Sequence, residues 1–288
     1  MKMRKILLSI YGMVAKILSG HGIRKFYPVR AVKKFIISHL KPTFIKVNGH
    51  IMFLDPVDSL NLSINGVYEP LETELFKKLI KKGDVVLDIG ANIGYYTLIA
   101  AKLVGENGRV YAFEPDPDNF ALLKKNIKIN GYQNVILVQK AVSNKTGKLR
   151  LYLSDDSAAE HRIFDSRDGR RSIEIEAIRL DDYFKDYFGK IDLIKMDIEG
   201  AEWGAIQGML NLLEKNKTLK IITEFWPSAL ERFGIEPEQY LKLLLEQGFK
   251  LYYINEQKKI LERANIAKLL EMYTSEKENS TNLLCIRP

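Results

Sequence analysis

An apolar strand that runs into a glycine turn and then a helix constrains this chain more than any other feature of its sequence. Residues 85–97 read VVLDIGANIGYYT, with Gly90 and Gly94 in the turn and an acid, Asp88, just before it. A continuous apolar strand is typical of a parallel sheet covered on both faces. Glycines let the backbone approach a ligand, and a helix N-terminus presents free N–H groups. The segment predicts an α/β fold with a ligand site at this turn.

The rest of the chain alternates between strands and helices in the same way. After two short strands near residues 44–54, apolar strands are expected at 85–89, 110–113, 135–139, 193–196, 220–223, 249–254 and 282–286, with helices between most of them. This alternation indicates an open, mostly parallel sheet with helices on both faces and an antiparallel edge near the C-terminus. We expect one domain over residues 43–288, preceded by a helical extension over residues 1–42.

The positive charge of the chain is concentrated in that extension. Residues 1–54 contain eleven Lys or Arg and no Asp or Glu, which leaves 33 basic against 36 acidic residues elsewhere. A nucleic-acid enzyme would carry a basic groove on its main domain, so nucleic acid is not the expected partner. Residues 1–40 suggest basic amphipathic helices that contact a membrane surface or, alternatively, pack on the domain or on a second subunit.

The cellular location follows from the same N-terminal residues and from cysteine usage. Residues 1–20 imitate a secretion signal, but Lys16 interrupts the apolar run and no clean cleavage site follows. Cys285 is the only cysteine, so no internal disulfide is possible. We expect a cytoplasmic protein, peripheral on the inner membrane surface if residues 1–40 contact lipid.

The charge at the glycine turn separates two classes of cofactor. A dinucleotide enzyme would show G-x-G-x-x-G, whereas this turn reads D-x-G-x-N-x-G. The Asp88 carboxylate would repel a pyrophosphate and attract an ammonium or sulfonium ligand, which opposes the alternative of an NAD-dependent dehydrogenase. Glu114, at the end of the next strand, is placed to accept ribose hydroxyls. Asp116, before Pro117, is expected to cap a helix.

These two segments resemble class I S-adenosylmethionine-dependent methyltransferases, and a third narrows the resemblance. Residues 191–202 read IDLIKMDIEGAE, which is similar to the K-x-D-x-E-G-A-E signature of the FkbM family of methyltransferases. Residues 139–143, Glu224 after an apolar pair and the closing residues 282–284 agree with that family. The resemblance covers roughly residues 50–287. It implies a Rossmann-like sheet of seven strands, mostly parallel, with an antiparallel last strand.

The resemblance also implies a set of cofactor residues for S-adenosylmethionine. The methionine end would lie near the turn and the helix start, formed by Asp88, Gly90, Asn92, Gly94 and Tyr95. Glu114 would hold the ribose, and Lys140 and Ala141 would lie near the adenine. Asp197 would face the methyl group, which agrees with the rule that ligands bind beyond the carboxyl ends of parallel strands.

Lys195, Asp197 and Glu199 alternate along a strand, so their side chains share one face. We expect Lys195 to be buried and paired with a carboxylate, because an unpaired buried lysine is costly. An alcohol acceptor must lose a proton, and Asp197, Glu199 or His161 could take it. In alternative interpretations Lys195 and Glu199 form a structural ion pair, or Asp197, Glu199 and Glu224 gather a divalent cation. No metal is predicted.

The long polar loop of residues 154–171, which contains His161, is a lid, a substrate loop or an ordinary surface loop. The hypothesis from the whole sequence is methyl transfer from S-adenosylmethionine to a hydroxyl oxygen of a small molecule, sugar or glycolipid. A non-catalytic membrane-surface binding protein that retains the fold is the alternative from a different class.

Overall fold

The protein is described here by a computed structural model that covers residues 39–154, 157–165, 167 and 169–287. The helices expected within residues 1–38 lie outside the described residues. None of the helices described is both long enough and apolar enough to cross a membrane.

The described strands run through the whole domain. They are β1 Phe44–Val47, β2 His50–Phe53, β3 Val85–Ile89, β4 Arg109–Phe113, β5 Val135–Val138, β6 Ala141–Val142, β7 Gly147–Tyr152, β8 Ser172–Ile178, β9 Leu193–Met196, β10 Lys220–Phe225, β11 Lys250–Asn255, β12 Ile260–Arg263 and β13 Thr281–Ile286.

The described helices connect these strands. They are α1 Leu62–Asn65, α2 Pro70–Leu79, α3 Tyr95–Val104, α4 Pro117–Ile129, α5 Leu180–Tyr183, α6 Glu202–Gln207, α7 Leu210–Lys215, α8 Pro227–Arg232, α9 Pro237–Glu246 and α10 Ile266–Met272.

The central sheet has eight strands in the order β12-β11-β13-β10-β9-β3-β4-β5. Strands β10, β9, β3, β4 and β5 are parallel, whereas β13 is antiparallel to both of its neighbours. The expected sheet with its antiparallel last strand is confirmed. It carries one strand more than predicted, because β12 folds back as a hairpin on β11. A smaller sheet, β6-β8-β7, and the β1–β2 hairpin complete the domain.

Alternation along the central strands divides the core into two apolar clusters, one on each face of the sheet. In β3, Leu87 and Ile89 belong to one cluster and Val86 to the other. Helices α6, α7 and α9 contribute to the first cluster, and α2, α3 and α4 to the second. Val86 to Ile89 of β3 are buried because both faces are covered, as the continuous apolar run predicts.

One expected helix, residues 201–213, is two short helices in the structure. The interruption falls at Gly208, where an added Cβ would lie 2.0 Å from the backbone oxygen of Ser143. The Gly208 carbonyl accepts a hydrogen bond from the backbone N–H of Asp181. The prediction of one continuous helix is wrong because this close backbone approach, which periodicity does not reveal, ends α6 before α7 begins.

Candidate functional site

The carboxyl ends of β3, β4 and β9 meet at the glycine turn. Here the order of the sheet changes direction: β4 and β5 follow on one side of β3, and β9 and β10 follow on the other. Gly90 has φ +82°, and an added Cβ there would lie 2.0 Å from the backbone oxygen of Asp197. The N–H groups of Gly90 and Ala91 both donate to the carbonyl of Phe113, at 3.0 and 2.9 Å. Glycine is required at position 90 because the turn is held against two neighbouring strands at once.

Glu114 is buried at the end of β4, and its carboxylate ties the turn to the start of α4. Oε2 accepts the backbone N–H of Asn92 at 2.8 Å, and Oε1 accepts that of Asp116 at 2.9 Å. Asn92 reaches this contact in a left-handed conformation, with φ +50°. Burial raises the pKa of Glu114 to about 8, although the two N–H groups act in the opposite direction.

Asp116 caps α4, as predicted. Its side chain accepts hydrogen bonds from the backbone N–H groups of Asp118 and Asn119, at 3.0 and 2.8 Å, and Pro117 occupies the first turn. The cap aligns the helix start with the glycine turn. Asp116 is therefore a structural residue beside the site.

Within the polar loop, the segment around Ala158 is attached across this turn. The carbonyl of Ala158 accepts the side-chain amides of Asn119 at 2.9 Å and Asn92 at 3.4 Å, and its N–H donates to the hydroxyl of Ser59 at 2.7 Å. His161 follows, with a side chain that is 14% exposed. These contacts hold the segment around Ala158 close to the strand ends.

These elements line a cavity that is partly open to solvent. Eight of the residues singled out from the sequence line it: Gly90, Asn92, Glu114, Lys140, Ala141, His161, Asp197 and Glu199. Its apolar wall includes Phe113 and Ile163.

Four other candidate residues lie behind the cavity wall. Asp88 is buried beneath the turn and accepts the Thr97 hydroxyl, and burial raises its pKa to about 6. Gly94, with φ +95°, is the N-cap of α3. The Tyr95 hydroxyl accepts the backbone N–H of Tyr68 at 3.2 Å, on the side of α2. The fourth, Lys195, is 1% exposed.

Lys195 is buried and paired with carboxylates, as expected, but its main partner was not found from the sequence. Its Nζ lies 3.0 Å from Oε1 of Glu72 and 3.6 Å from Oδ2 of Asp197. Burial opposes the charge, but the two carboxylates outweigh it and raise the pKa of Lys195. The alternative interpretation, an ion pair between Lys195 and Glu199, is wrong because Lys195 pairs with Glu72 and Asp197 instead. A signal did exist, since Glu72 lies four residues before the core residue Phe76 on one face of α2.

Asp197, Glu199 and Glu224 form the acidic end of the site. One oxygen from each carboxylate lies within 4.8 Å of the others, close enough to share a cation or a set of hydroxyl groups. Glu199 adopts φ +56°. The following Gly200 packs closely on Ala229, because a Cβ added to Gly200 would lie 2.5 Å from the Cβ of Ala229. Burial first, and then the neighbouring carboxylates, raise the pKa of Glu199 and Glu224 well above the usual value.

Comparison with known proteins adds a family to this geometry. The model of the Methyltransferase FkbM domain matches residues 88–251, which is more than half of the chain. A hexuronic acid methyltransferase from Haloferax volcanii is 28% identical over 180 residues, covering 61% of this chain and 68% of that protein. A methyltransferase from Sordaria araneosa is 28% identical over 199 residues, covering 58% of this chain and 73% of that protein.

A solved structure of an S-adenosylmethionine-dependent O-methyltransferase from Thermotoga maritima aligns with 85% of this chain and 77% of its own. The TM-score is 0.43 at 14% identity, a likeness too distant to bear on function.

Proposed function

This chain belongs to the FkbM methyltransferase family, and from that premise we propose that it transfers a methyl group from S-adenosylmethionine to a hydroxyl oxygen of a sugar or similar polyhydroxylated small molecule. The protein is an S-adenosylmethionine-dependent methyltransferase. The hydroxyl oxygen and the sugar are the proposed part. The single observation that carries it is a cavity lined by the buried carboxyl group of Glu114 and by Asp197 and Glu199, with Glu224 close to the last two.

The residues that line the cavity fit the cofactor. A carboxylate has about four acceptor positions, and two backbone N–H groups occupy only part of those of Glu114. The remaining acceptor positions of the carboxylate would bind two ribose hydroxyls. Lys140, Ala141 and Ile163 supply a partly apolar wall for the adenine. When bound, S-adenosylmethionine supplies a methyl group carried on a sulfonium cation.

The charge of the site favours this cofactor over a dinucleotide. Asp197 and Glu199 line the cavity, and Asp88 lies beneath the turn where a pyrophosphate would have to sit. Carboxylates attract a sulfonium and an ammonium group and repel a phosphate. The dehydrogenase alternative is not favoured for this reason.

The acceptor hydroxyl must lose its proton, and the contacts of the two ring nitrogens of His161 argue against the histidine as the base. Its Nδ1 accepts the backbone N–H of Ser154 at 3.0 Å, so the neutral ring carries its proton on Nε2, which lies 4.0 Å from Oδ2 of Asp116. Neither nitrogen is left to take a proton. Asp197 and Glu199, which both line the cavity, are the better candidates.

A polyhydroxylated acceptor fits the acidic end of the site. Vicinal hydroxyl groups donate hydrogen bonds, and Asp197, Glu199 and Glu224 together offer a group of acceptors within 4.8 Å of one another. The relative from Haloferax volcanii, named as a hexuronic acid methyltransferase, supports a sugar as the acceptor class.

The test uses the whole protein with methyl-labelled S-adenosylmethionine and a panel of neutral glycosides, glucuronides, simple alcohols and amines. We expect transfer to an oxygen of a glycoside or glucuronide, identified by mass spectrometry. Glu199→Gln should lower the rate at saturating cofactor, with exposed Glu238→Gln as the control. Two results would contradict the proposed acceptor: transfer only to amines, or transfer to simple alcohols without transfer to any sugar.

A further inference from the structure

Glu72 and Lys195 form the most deeply buried ion pair that the structure describes beside the site. Their side chains are 0% and 1% exposed, and Lys195 Nζ lies 3.0 Å from Glu72 Oε1. Glu72 belongs to α2, sixteen residues before the first residue that the family model matches. Glu72, on a helix outside the matched segment, is thus connected through Lys195 to Asp197 at the acidic end of the site.

Lys195 lies within ion-pair distance of two carboxylates, and Glu72 is the nearer of the two. Glu72 Oε1 is at 3.0 Å and Asp197 Oδ2 at 3.6 Å. The Asp197 side chain is 26% exposed and lines the cavity, whereas that of Glu72 is fully covered. The ammonium group is therefore held towards the protein interior, and the carboxylate that faces the cavity is its more distant partner.

The start of α2 is itself fixed, so Glu72 cannot easily follow the lysine. The backbone N–H groups of Leu71 and Glu72 donate to the carboxylate of Glu256, at 3.1 and 2.8 Å. This carboxylate, at the end of the hairpin between β11 and β12, satisfies two N–H groups that the first turn of a helix leaves without an internal partner.

Without Glu72, the buried ammonium would still need an opposite charge, because an unpaired charge is costly to bury. Asp197 is its other ion-pair partner, and a small movement would bring the two into direct contact. Asp197 would then be neutralised by the protein instead of being available to a cationic ligand.

We propose that Glu72 is a positioning residue for methyl transfer: it holds the Lys195 ammonium away from Asp197 and so keeps the Asp197 carboxylate available at the cavity. The inference rests on the proposed placement of Asp197 at the sulfonium end of the cofactor. The other charged groups around Asp197 are Asp88 on β3, Glu69 at the start of α2, Glu224 on β10, Glu202 on α6 and Glu199. All of these are acidic; the cation Arg162 acts on Glu199, whereas Lys195 is the cation that forms an ion pair with Asp197 itself.

The test compares the affinities of S-adenosylmethionine and S-adenosylhomocysteine by calorimetry, because the two ligands differ in the positive charge at sulfur. The ratio of their affinities reports negative charge near that atom and needs no acceptor. Glu72→Gln should lower the preference for S-adenosylmethionine by about threefold or more, since Lys195 then pairs with Asp197. Glu74→Gln, an exposed carboxylate on the same helix, is the matched control and should leave the ratio unchanged.

The double variant Glu72→Gln with Lys195→Met separates positioning from a purely structural role. Removing the lysine also removes the group that would neutralise Asp197, so we expect the ratio to return to the wild-type value or above it. A structural defect would instead persist or grow in the double variant. The double variant also keeps the test valid if the single Glu72 variant does not fold, because it buries no unpaired charge.

Two results would overturn the inference: an unchanged ratio in folded Glu72→Gln, or a ratio below wild type in the double variant. Asp197→Asn tests the underlying placement separately. If it leaves the ratio unchanged, Asp197 does not face the sulfonium, and the inference falls with that placement. Failure to find a sugar acceptor would concern only the proposed function, since no acceptor enters these measurements.

Discussion

Binding of S-adenosylmethionine is expected to release a proton from Glu114. Burial raises the pKa of this carboxyl to about 8 in the free protein. At pH 7 the group then holds about 0.9 of a proton, and at pH 9 about 0.1. Ribose hydroxyls are donors, so they bind the carboxylate better than the carboxylic acid and drive the proton off.

The sign and size of the effect follow from this linkage. Because the bound form favours the deprotonated group, affinity should rise with pH by up to about tenfold per unit between pH 6 and 8, and level off above pH 8. The proton count should fall from about 0.9 per ligand at pH 7 to about 0.1 at pH 9. Calorimetry in two buffers with different ionisation enthalpies measures the count directly.

Glu114→Gln tests whether this residue is the source of the proton. The amide cannot ionise, and its NH2 group would face one of the two backbone N–H groups that Glu114 now accepts. Loss of one charge-assisted hydrogen bond costs about 1.5–3 kcal/mol, which is about ten- to a hundredfold in affinity. Asp118→Asn, an exposed acid in the first turn of α4, is the control. Affinity independent of pH between 6 and 8, or undiminished proton release in Glu114→Gln, would refute the reasoning.

Two further changes test the packing of the turn and a buried histidine. Gly90→Ala should destabilise the protein by about 1–3 kcal/mol more than Gly66→Ala in urea unfolding, because both positions have positive φ but only Gly90 meets the backbone oxygen of Asp197; equal losses would show that the close approach is relieved at no cost. Burial lowers the pKa of His50 to about 4, so the unfolded chain binds the proton more readily and stability should fall as pH drops from 6.5 towards 4. His50→Gln should remove up to about 3 kcal/mol of that loss, and an unchanged acid limb of the stability curve would argue against it.

The parts of the site that could be predicted from the sequence are those whose chemistry is local. The turn at Gly90, the acid at Glu114 and the cap at Asp116 each depend on residues within a few positions, so strand, turn and helix signals were sufficient. The mostly parallel sheet with an antiparallel edge followed from the alternation of strands and helices along the chain.

Contacts between distant segments could not be predicted in this way. Helix 201–213 was expected to be continuous because nothing in its own sequence shows that Ser143 approaches Gly208. The attachment of the 154–171 loop through Ala158 likewise depends on Ser59, far away in the chain.

The sequence by itself determined that a strand, a glycine turn and two acids would build a site at the end of a parallel sheet, because hydrophobic periodicity and backbone freedom are properties of short segments. Only the tertiary structure decided which carboxylate pairs with Lys195. A buried charge takes whichever opposite charge the packing brings nearest, and here α2 delivers Glu72 to 3.0 Å while Asp197 remains at 3.6 Å and faces the cavity.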